Sequence, residues 1–271
     1  MTIFHSIILG IVEGFTEFLP ISSTAHLILA SELIGLSQTA FLKTFEIAIQ
    51  SGAIFAVLAI YWRKFLDWEI LKKIIIAFIP TGIIGFVLYK LAKEYLLGNI
   101  SVVLWSLAIG GVILIVFEKY SLKKITKSAL GDVGASQEGN STGADIKGLS
   151  NIRIACIGAI QALAIIPGVS RSAATIIGGS LLGLNRNAVV EFSFLLAVPT
   201  ILAATALDLI KNYQLFTSDQ AINLSIGFVT SFITAIIGIK FLLSYVRTRS
   251  FAGFGVYRIL IALLFLIIAF K

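Results

Sequence analysis

The chain has 271 residues, of which 58% are hydrophobic and only 13% charged, and its mean hydropathy is +1.00. A soluble domain carries about 25% charged residues, and so few polar side chains cannot cover an aqueous surface; the composition excludes a water-soluble globular protein and points to a polytopic membrane protein. The formal charge of +7 then belongs to loops on one side of a bilayer rather than to a nucleic-acid surface.

A spanning helix needs about 20 apolar residues. Residues 3–36 are apolar but interrupted by Pro20 and by Ser22-Ser23-Thr24. Proline stops the first half, hydroxyl residues cap the second, and a broken pair at membrane depth is tolerated only inside protein or beside a water-filled cavity. A re-entrant helix hairpin is predicted here. It has no basic leader and carries Glu13, so it does not read as a removable signal peptide. Spans are predicted at 44–62, 74–92 and 100–117. Residues 128–150, rich in Gly, Ser and Ala and without an aromatic residue, read as a flexible cytoplasmic linker, and the sequon Asn140-Ser141-Thr142 in it reads as chance. A second broken segment, 154–183, is interrupted by Pro167-Gly168 and Ser170-Arg171-Ser172; its Cys156, the single cysteine, reads as a small residue of the membrane core. Spans at 189–210, 222–243 and 255–270 complete the chain. The expected fold is an all-α polytopic membrane protein with six transmembrane helices and two re-entrant hairpins.

Basic residues set the orientation. Arg63, Lys64, Lys72, Lys73, Lys119, Lys123, Lys124, Lys127, Lys147, Arg153, Arg186, Arg247, Arg249 and Arg258 fall on one side, against Lys43, Lys90, Lys93, Lys211 and Lys271 on the other; the larger group is expected in the cytoplasm. A hairpin returns to its own side and three spans do not, so the second half is inverted relative to the first. Gly10-Ile11-Val12-Glu13 and Pro20-Ile21-Ser22-Ser23-Thr24-Ala25 also resemble Gly158-Ala159-Ile160-Gln161 and Pro167-Gly168-Val169-Ser170-Arg171-Ser172-Ala173. The expected organisation is a first repeat over 1–127, the linker 128–150, and an inverted second repeat over 151–271, with the broken helices meeting near the midplane.

Ionisable groups inside such segments are functional candidates, because each costs several kcal/mol unless paired or wet. Glu13 and Glu17 lie four apart on one helix face; they repel unless a cation lies beside them, one is protonated, or one pairs with a distant lysine. Ser22, Ser23 and Thr24 either cap the next helix or present its N-terminus to a phosphate. His26 lies one turn after Ser23, whereas His5 has no such company and reads as structural. Arg171, between Ser170 and Ser172, has the planar fork that suits phosphate; its alternative is an internal salt bridge with Glu13 or Glu17. Thr175 is one turn further on, and Gln161 stands where the first repeat has Glu13. Glu46, Gln50 and Glu191 either support the site from behind or pack between helices. Together the carboxylates, hydroxyls, imidazole, guanidinium and two helix starts suit phosphoryl transfer aided by a divalent metal, on a lipid that bears a phosphate or diphosphate.

EGFTEFLPISSTAHL at 13–27 and PGVSRSAATIIGG at 167–179 closely resemble the two signature segments of the undecaprenyl-diphosphate phosphatase (UppP/BacA) family, and KTFEIAIQSGAI at 43–54 and EFSFLLAVPT at 191–200 extend the match. The resemblance implies a multi-pass enzyme of the bacterial inner membrane that hydrolyses undecaprenyl diphosphate to the monophosphate, recycling the lipid carrier of cell-wall synthesis. It further implies bacitracin resistance, a divalent cation (Mg2+ or Ca2+), a homodimer, and a site opening to the periplasmic side. By position it assigns the acidic motif to Glu13 and Glu17, the essential hydroxyl to Ser23, the histidine to His26 and the arginine to Arg171. The mechanism it suggests has Arg171 and the helix starts hold the diphosphate, Glu13 and Glu17 hold the metal, and Ser23 or a water attack phosphorus, with Glu17 or His26 taking the proton. The competing class is an inverted-repeat transporter or flippase for a phosphorylated prenyl lipid. A phosphatidic-acid-type phosphatase would need a histidine where Ile177 stands.

Overall fold

The computed structural model describes residues 1–91, 95–96, 99–131, 143–212, 214 and 217–269. Among them the chain is all-helical, its one extended contact being a parallel bridge between Ala144 and Leu184. The helices are α1 (Ile3–Thr16), α2 (Ser23–Leu33), α3 (Ala40–Phe65), α4 (Trp68–Leu91), α5 (Ile100–Gly131), α6 (Asn151–Gln161), α7 (Arg171–Leu181), α8 (Arg186–Asn212), α9 (Ser218–Thr248) and α10 (Ala252–Ala269); a short 3-10 turn, Ala162–Ile165, extends α6.

Helices α3, α4, α5, α8 and α9 contain stretches long and apolar enough to cross a membrane, each over a predicted span, so the chain is a multi-pass membrane protein. The sixth predicted span is α10, whose 18 residues reach about 27 Å at 1.5 Å per residue, just under a typical hydrocarbon core of about 30 Å. Both predicted interruptions are present: α1 is separated from α2, and α6 with its 3-10 turn from α7.

Packing pairs the halves crosswise. Helix α1 lies on α9 and α6 on α4, while α3 lies against α8 and α5 against α10. Glycine permits the close approach at two of these seams. A Cβ at Gly14 would come within 2.1 Å of Thr234 Oγ1, and one at Gly158 within 1.9 Å of the Ala77 carbonyl oxygen. A threonine crosses each seam: Thr234 Oγ1 donates to the Gly10 carbonyl at 3.2 Å and Thr81 Oγ1 to the Gly158 carbonyl at 2.6 Å. The main apolar core runs between the halves and includes Phe18, Ile54, Ile157, Phe192 and Phe194.

Three expectations change. Arg258, counted above with the loop residues, lies within α10 and is completely buried. Cys156 is exposed, because α6 turns Ile154, Ile157, Gly158 and Gln161 inward and residue 156 points to the opposite side. The linker expected over 128–150 is shorter: α5 continues to Gly131, and residues 143–150 pack on the body through buried Ile146 and Leu149 and a Lys147–Asp67 ion pair of 2.6 Å. The sequon and the middle of that linker lie outside the described residues.

Candidate active site

Both interruptions adopt the same local geometry. Ser22 (φ 73, ψ 92) caps α2 and Ser170 (φ 74, ψ 114) caps α7, and they are the only non-glycine residues with positive φ among those described. Left-handed backbone at a side-chain-bearing residue is costly and concentrates at functional sites. Each hydroxyl accepts from the backbone N–H three residues on, Ala25 at 3.4 Å and Ala173 at 3.2 Å, so each helix start is capped while the chain reverses around it.

The breaks meet. Ser172 Oγ donates to the Phe18 carbonyl at 2.7 Å, bringing α7 onto the first break, and the Phe18 ring lies 5.9 Å beneath the Arg171 guanidinium. Arg171 Nη2 donates to Glu17 Oε1 at 3.1 Å, and Ser23 Oγ donates to Glu17 Oε2 at 2.5 Å. Arg171 Nη1 is held by the Ser193 carbonyl of α8 at 2.5 Å. Its Nε is buried and, among the described residues, has no acceptor. The internal salt bridge expected as one alternative is therefore present.

A cavity of about 450 Å³ opens beside this group. Its polar wall includes Glu17, Ser22, Ser23, Thr24, Ser170 and Arg171; its apolar wall includes Phe78, Phe86, Ile165 and Leu207, with Gly82 and Gly85 of α4. Gln50 and Gln161 also line it. Gln161 accepts from Thr175 Oγ1 at 3.0 Å and donates to Thr200 at 3.1 Å. A charged end and an apolar remainder suit a phosphorylated amphiphile.

Other candidates stand behind or away from that wall. Glu13 is completely buried, has Glu17, Glu46 and Arg171 as charged neighbours, and neither carboxylate oxygen has a hydrogen-bond partner among the described residues. A buried carboxylate without a donor is expensive, and two acids side by side are a hard-oxygen donor set that fits a divalent cation. Among the described residues no three His, Cys, Asp or Glu side chains cluster for a metal, so a divalent cation held by Glu13 and Glu17 would need its remaining oxygen ligands from outside such side chains. Glu46 lies near Ser31 and Lys43. Glu191 pairs with Lys64 at 2.7 Å and does not line the cavity. Ser172 and Thr175 are likewise off the wall, their hydroxyls bonded to Phe18 and to Gln161 and the Arg171 carbonyl.

His26 faces α10. Its Nδ1 is 2.7 Å from the Ser22 carbonyl and its Nε2 is 2.9 Å from the Tyr257 hydroxyl, with the two rings stacked. A carbonyl only accepts, so Nδ1 carries the proton, and in the neutral ring Nε2 accepts from Tyr257. His5 is an N-terminal capping partner of Thr2, as its lone position suggested.

Sequence reasoning passed over Ser193, Tyr257, Arg258 and Asp208. Asp208 lines the cavity and has an unpartnered Oδ2 among the described residues. Asp208 and Arg258 each carried the signal that singled out Glu13, a charge inside an apolar run; Ser193 and Tyr257 carried none.

A family model described as bacitracin resistance protein BacA matches residues 6–264. Curated relatives named undecaprenyl-diphosphatase align over nearly their whole length. That of Aquifex aeolicus is 50% identical over 266 residues, covering 98% of each chain, and that of Sulfurihydrogenibium is 48% identical over 265 residues, also covering 98% of each. That of Bdellovibrio bacteriovorus is 46% identical over 271 residues, covering all of this chain and 97% of its own. With its paired signature segments folded around one cavity, this chain belongs to the BacA bacitracin resistance family.

Proposed function

We propose that the protein hydrolyses undecaprenyl diphosphate to undecaprenyl phosphate and inorganic phosphate, returning the lipid carrier to cell-wall synthesis. The observation that carries this reading is the chain Ser23–Glu17–Arg171 on the wall of a cavity whose remaining surface is largely apolar. The diphosphate lies against Arg171, whose forked geometry suits phosphate oxygens, and against the starts of α2 and α7, where helix dipoles favour anions. The prenyl chain lies along Phe78, Gly82, Gly85 and Phe86.

Glu17 is the general base. It accepts the Ser23 proton as Oγ bonds to the terminal phosphorus and the anhydride P–O bond breaks, the electron pair leaving with undecaprenyl phosphate; water then cleaves the phosphoserine and releases phosphate. The one-step variant uses the same groups, with Glu17 taking a proton from a water that attacks directly. Trapping radiolabelled phospho-enzyme during turnover separates the two routes. Glu13 and Glu17 would hold a divalent cation, Mg2+ or Ca2+, which when bound supplies charge neutralisation for the phosphates and for the paired acids. His26, oriented by Ser22 and Tyr257, supports the first break from the α10 side.

The same reading takes the fold as six spans and two re-entrant hairpins in an inverted repeat with halves 1–127 and 151–271. Its support is the crosswise pairing of α1 with α9 and α6 with α4, with a glycine and a threonine at equivalent places on each seam. It places the protein in the bacterial inner membrane as a homodimer, with the site opening to the periplasmic side. The crosswise pairing also favours a second reading, a transporter or flippase for a phosphorylated prenyl lipid, since such repeats underlie alternating access. Purified protein incubated with undecaprenyl diphosphate decides between them. Phosphate release by wild type, lost in Glu17→Gln and with chelator, supports hydrolysis; lipid movement across liposomes without phosphate release would replace it with transport.

A further inference from the structure

Arg258 sits in a stretch of α10 composed almost wholly of apolar residues, and none of its surface is exposed. Among the described residues its five acceptors are all backbone carbonyls. Nε donates to Leu107 at 3.3 Å and Nη2 to Ser106 at 3.1 Å, both in α5. Nη1 donates to Pro20 at 3.3 Å and to Val169 at 3.0 Å, and Nη2 donates also to Gly168 at 2.7 Å. Pro20 belongs to the first break and Gly168 and Val169 to the second.

Carbonyls at a helix break have no N–H four residues on to receive, and in a membrane interior no bulk water replaces it. One guanidinium meets the need at both breaks because its five N–H groups are fixed in a plane. The acceptors are close to the reacting groups in sequence. Pro20 is two residues before the left-handed Ser22, which caps the helix that begins with Ser23, and Val169 directly precedes the left-handed Ser170, which caps the helix that begins with Arg171. Arg258 itself does not line the cavity. The second break is further seated on α5, where a Cβ at Gly168 would come within 2.7 Å of the Val103 carbonyl oxygen.

We infer that Arg258 is the positioning residue of the site: by binding both breaks in one plane it sets the register between Ser23 and Glu17 on the first hairpin and Arg171 on the second. What that register serves rests on the phosphatase reading above; the clamp itself does not. Lysine at this position keeps the charge but offers three donors from a single atom and cannot span the same acceptors.

Two variants test the clamp in the purified full-length protein. Arg258→Lys removes the plane. Gly110→Ala leaves Arg258 in place and pushes it, because the new Cβ would come within 2.0 Å of Nη2 and 2.7 Å of Cζ; it remains informative if the lysine variant does not fold. Each is measured for kcat and KM on undecaprenyl diphosphate, for thermal stability, and for amide exchange in peptides covering the two breaks. The expected result is a fall in kcat of about 100-fold, the size of effect a misplacement of about 1 Å produces, with KM little changed and faster exchange at both breaks together. Wild-type kcat in both variants overturns the inference, as does faster exchange at one break alone or activity lost only in proportion to folded protein. Should wild type release no phosphate, the phosphatase reading fails and the exchange measurement alone judges the clamp.

Discussion

Glu17 receives the Ser23 hydroxyl on Oε2 at 2.5 Å and the Arg171 guanidinium on Oε1 at 3.1 Å. One carboxylate at the end of α1 thus joins the first residue of α2 to the first residue of α7, which lies 154 positions beyond Glu17 in sequence. Glu17→Gln keeps the shape and removes the base; kcat is expected to fall by about 10²–10⁴-fold, with Ser23→Ala falling in the same range. Arg171→Lys keeps the charge but loses the fork that reaches both Glu17 and Ser193, so KM rises along with the loss of kcat. Steady-state phosphate release on the three variants checks this, and wild-type kinetics in Glu17→Gln would remove Glu17 from the chemistry.

Glu13 presents the opposite situation, a buried carboxylate with no donor among the described residues and two acidic neighbours. Replacing it as Glu13→Gln is expected to raise the thermal stability of metal-free protein, since it removes an acid whose ionised form burial and repulsion both penalise. The same change should raise the Mg2+ or Ca2+ concentration needed for half-maximal activity. Melting curves in chelator and cation titrations of activity read these two effects. Unchanged cation dependence would place the metal elsewhere.

Glycines in α4 and α6 separate packing from substrate accommodation. At Gly158 a Cβ would collide with the backbone of α4, so Gly158→Ala is expected to destabilise by about 1–3 kcal/mol, seen as poor yield and a lower melting temperature. At Gly85 a Cβ meets nothing within 4 Å, although the residue lines the cavity. Gly85→Leu should therefore fold normally and impair long prenyl diphosphates more than short ones. Equal impairment of both chain lengths would count against a prenyl chain lying there.

On the loop side, the Lys147 ammonium beside Asp67 holds that carboxyl below its ordinary value, aided by backbone N–H groups of Ile70 and Glu69. A depressed carboxylate pKa contributes stability that is present above the unfolded value of about 4 and is lost as pH falls through the folded value. Because Asp67 is partly exposed to solvent, the effect is small and salt-sensitive. Wild type should melt slightly above Asp67→Asn near pH 7 in low salt, and the gap should close on acidification below the ordinary aspartate range. A gap that persists in acid would mean the ion pair is not its source.

Much of the site was legible because membrane burial makes polarity conspicuous. Glu17, Ser23 and Arg171 stood out as polar groups flanking prolines in apolar segments, and they are hydrogen-bonded to one another. The same rule, applied to every charge inside an apolar run, also selects Arg258 and Asp208; counting Arg258 with the loops hid it. Ser193 and Tyr257 were not legible, because a serine carbonyl that holds Arg171 and a phenol that orients His26 look like any others until helices α8 and α10 are packed.

Hydropathy is a property of each segment taken alone, so the sequence by itself determined the helices, the two interruptions and which stretches are apolar enough to cross a bilayer. It also determined the family, through contiguous motifs. Only the tertiary structure decided which carbonyls meet a guanidinium 238 positions away in the case of Pro20 and Arg258, which carboxylate is paired and which is left bare, and which glycines touch a neighbour and which face a cavity. Those outcomes depend on where helix surfaces come together, and close packing between distant segments leaves no periodic trace along the chain.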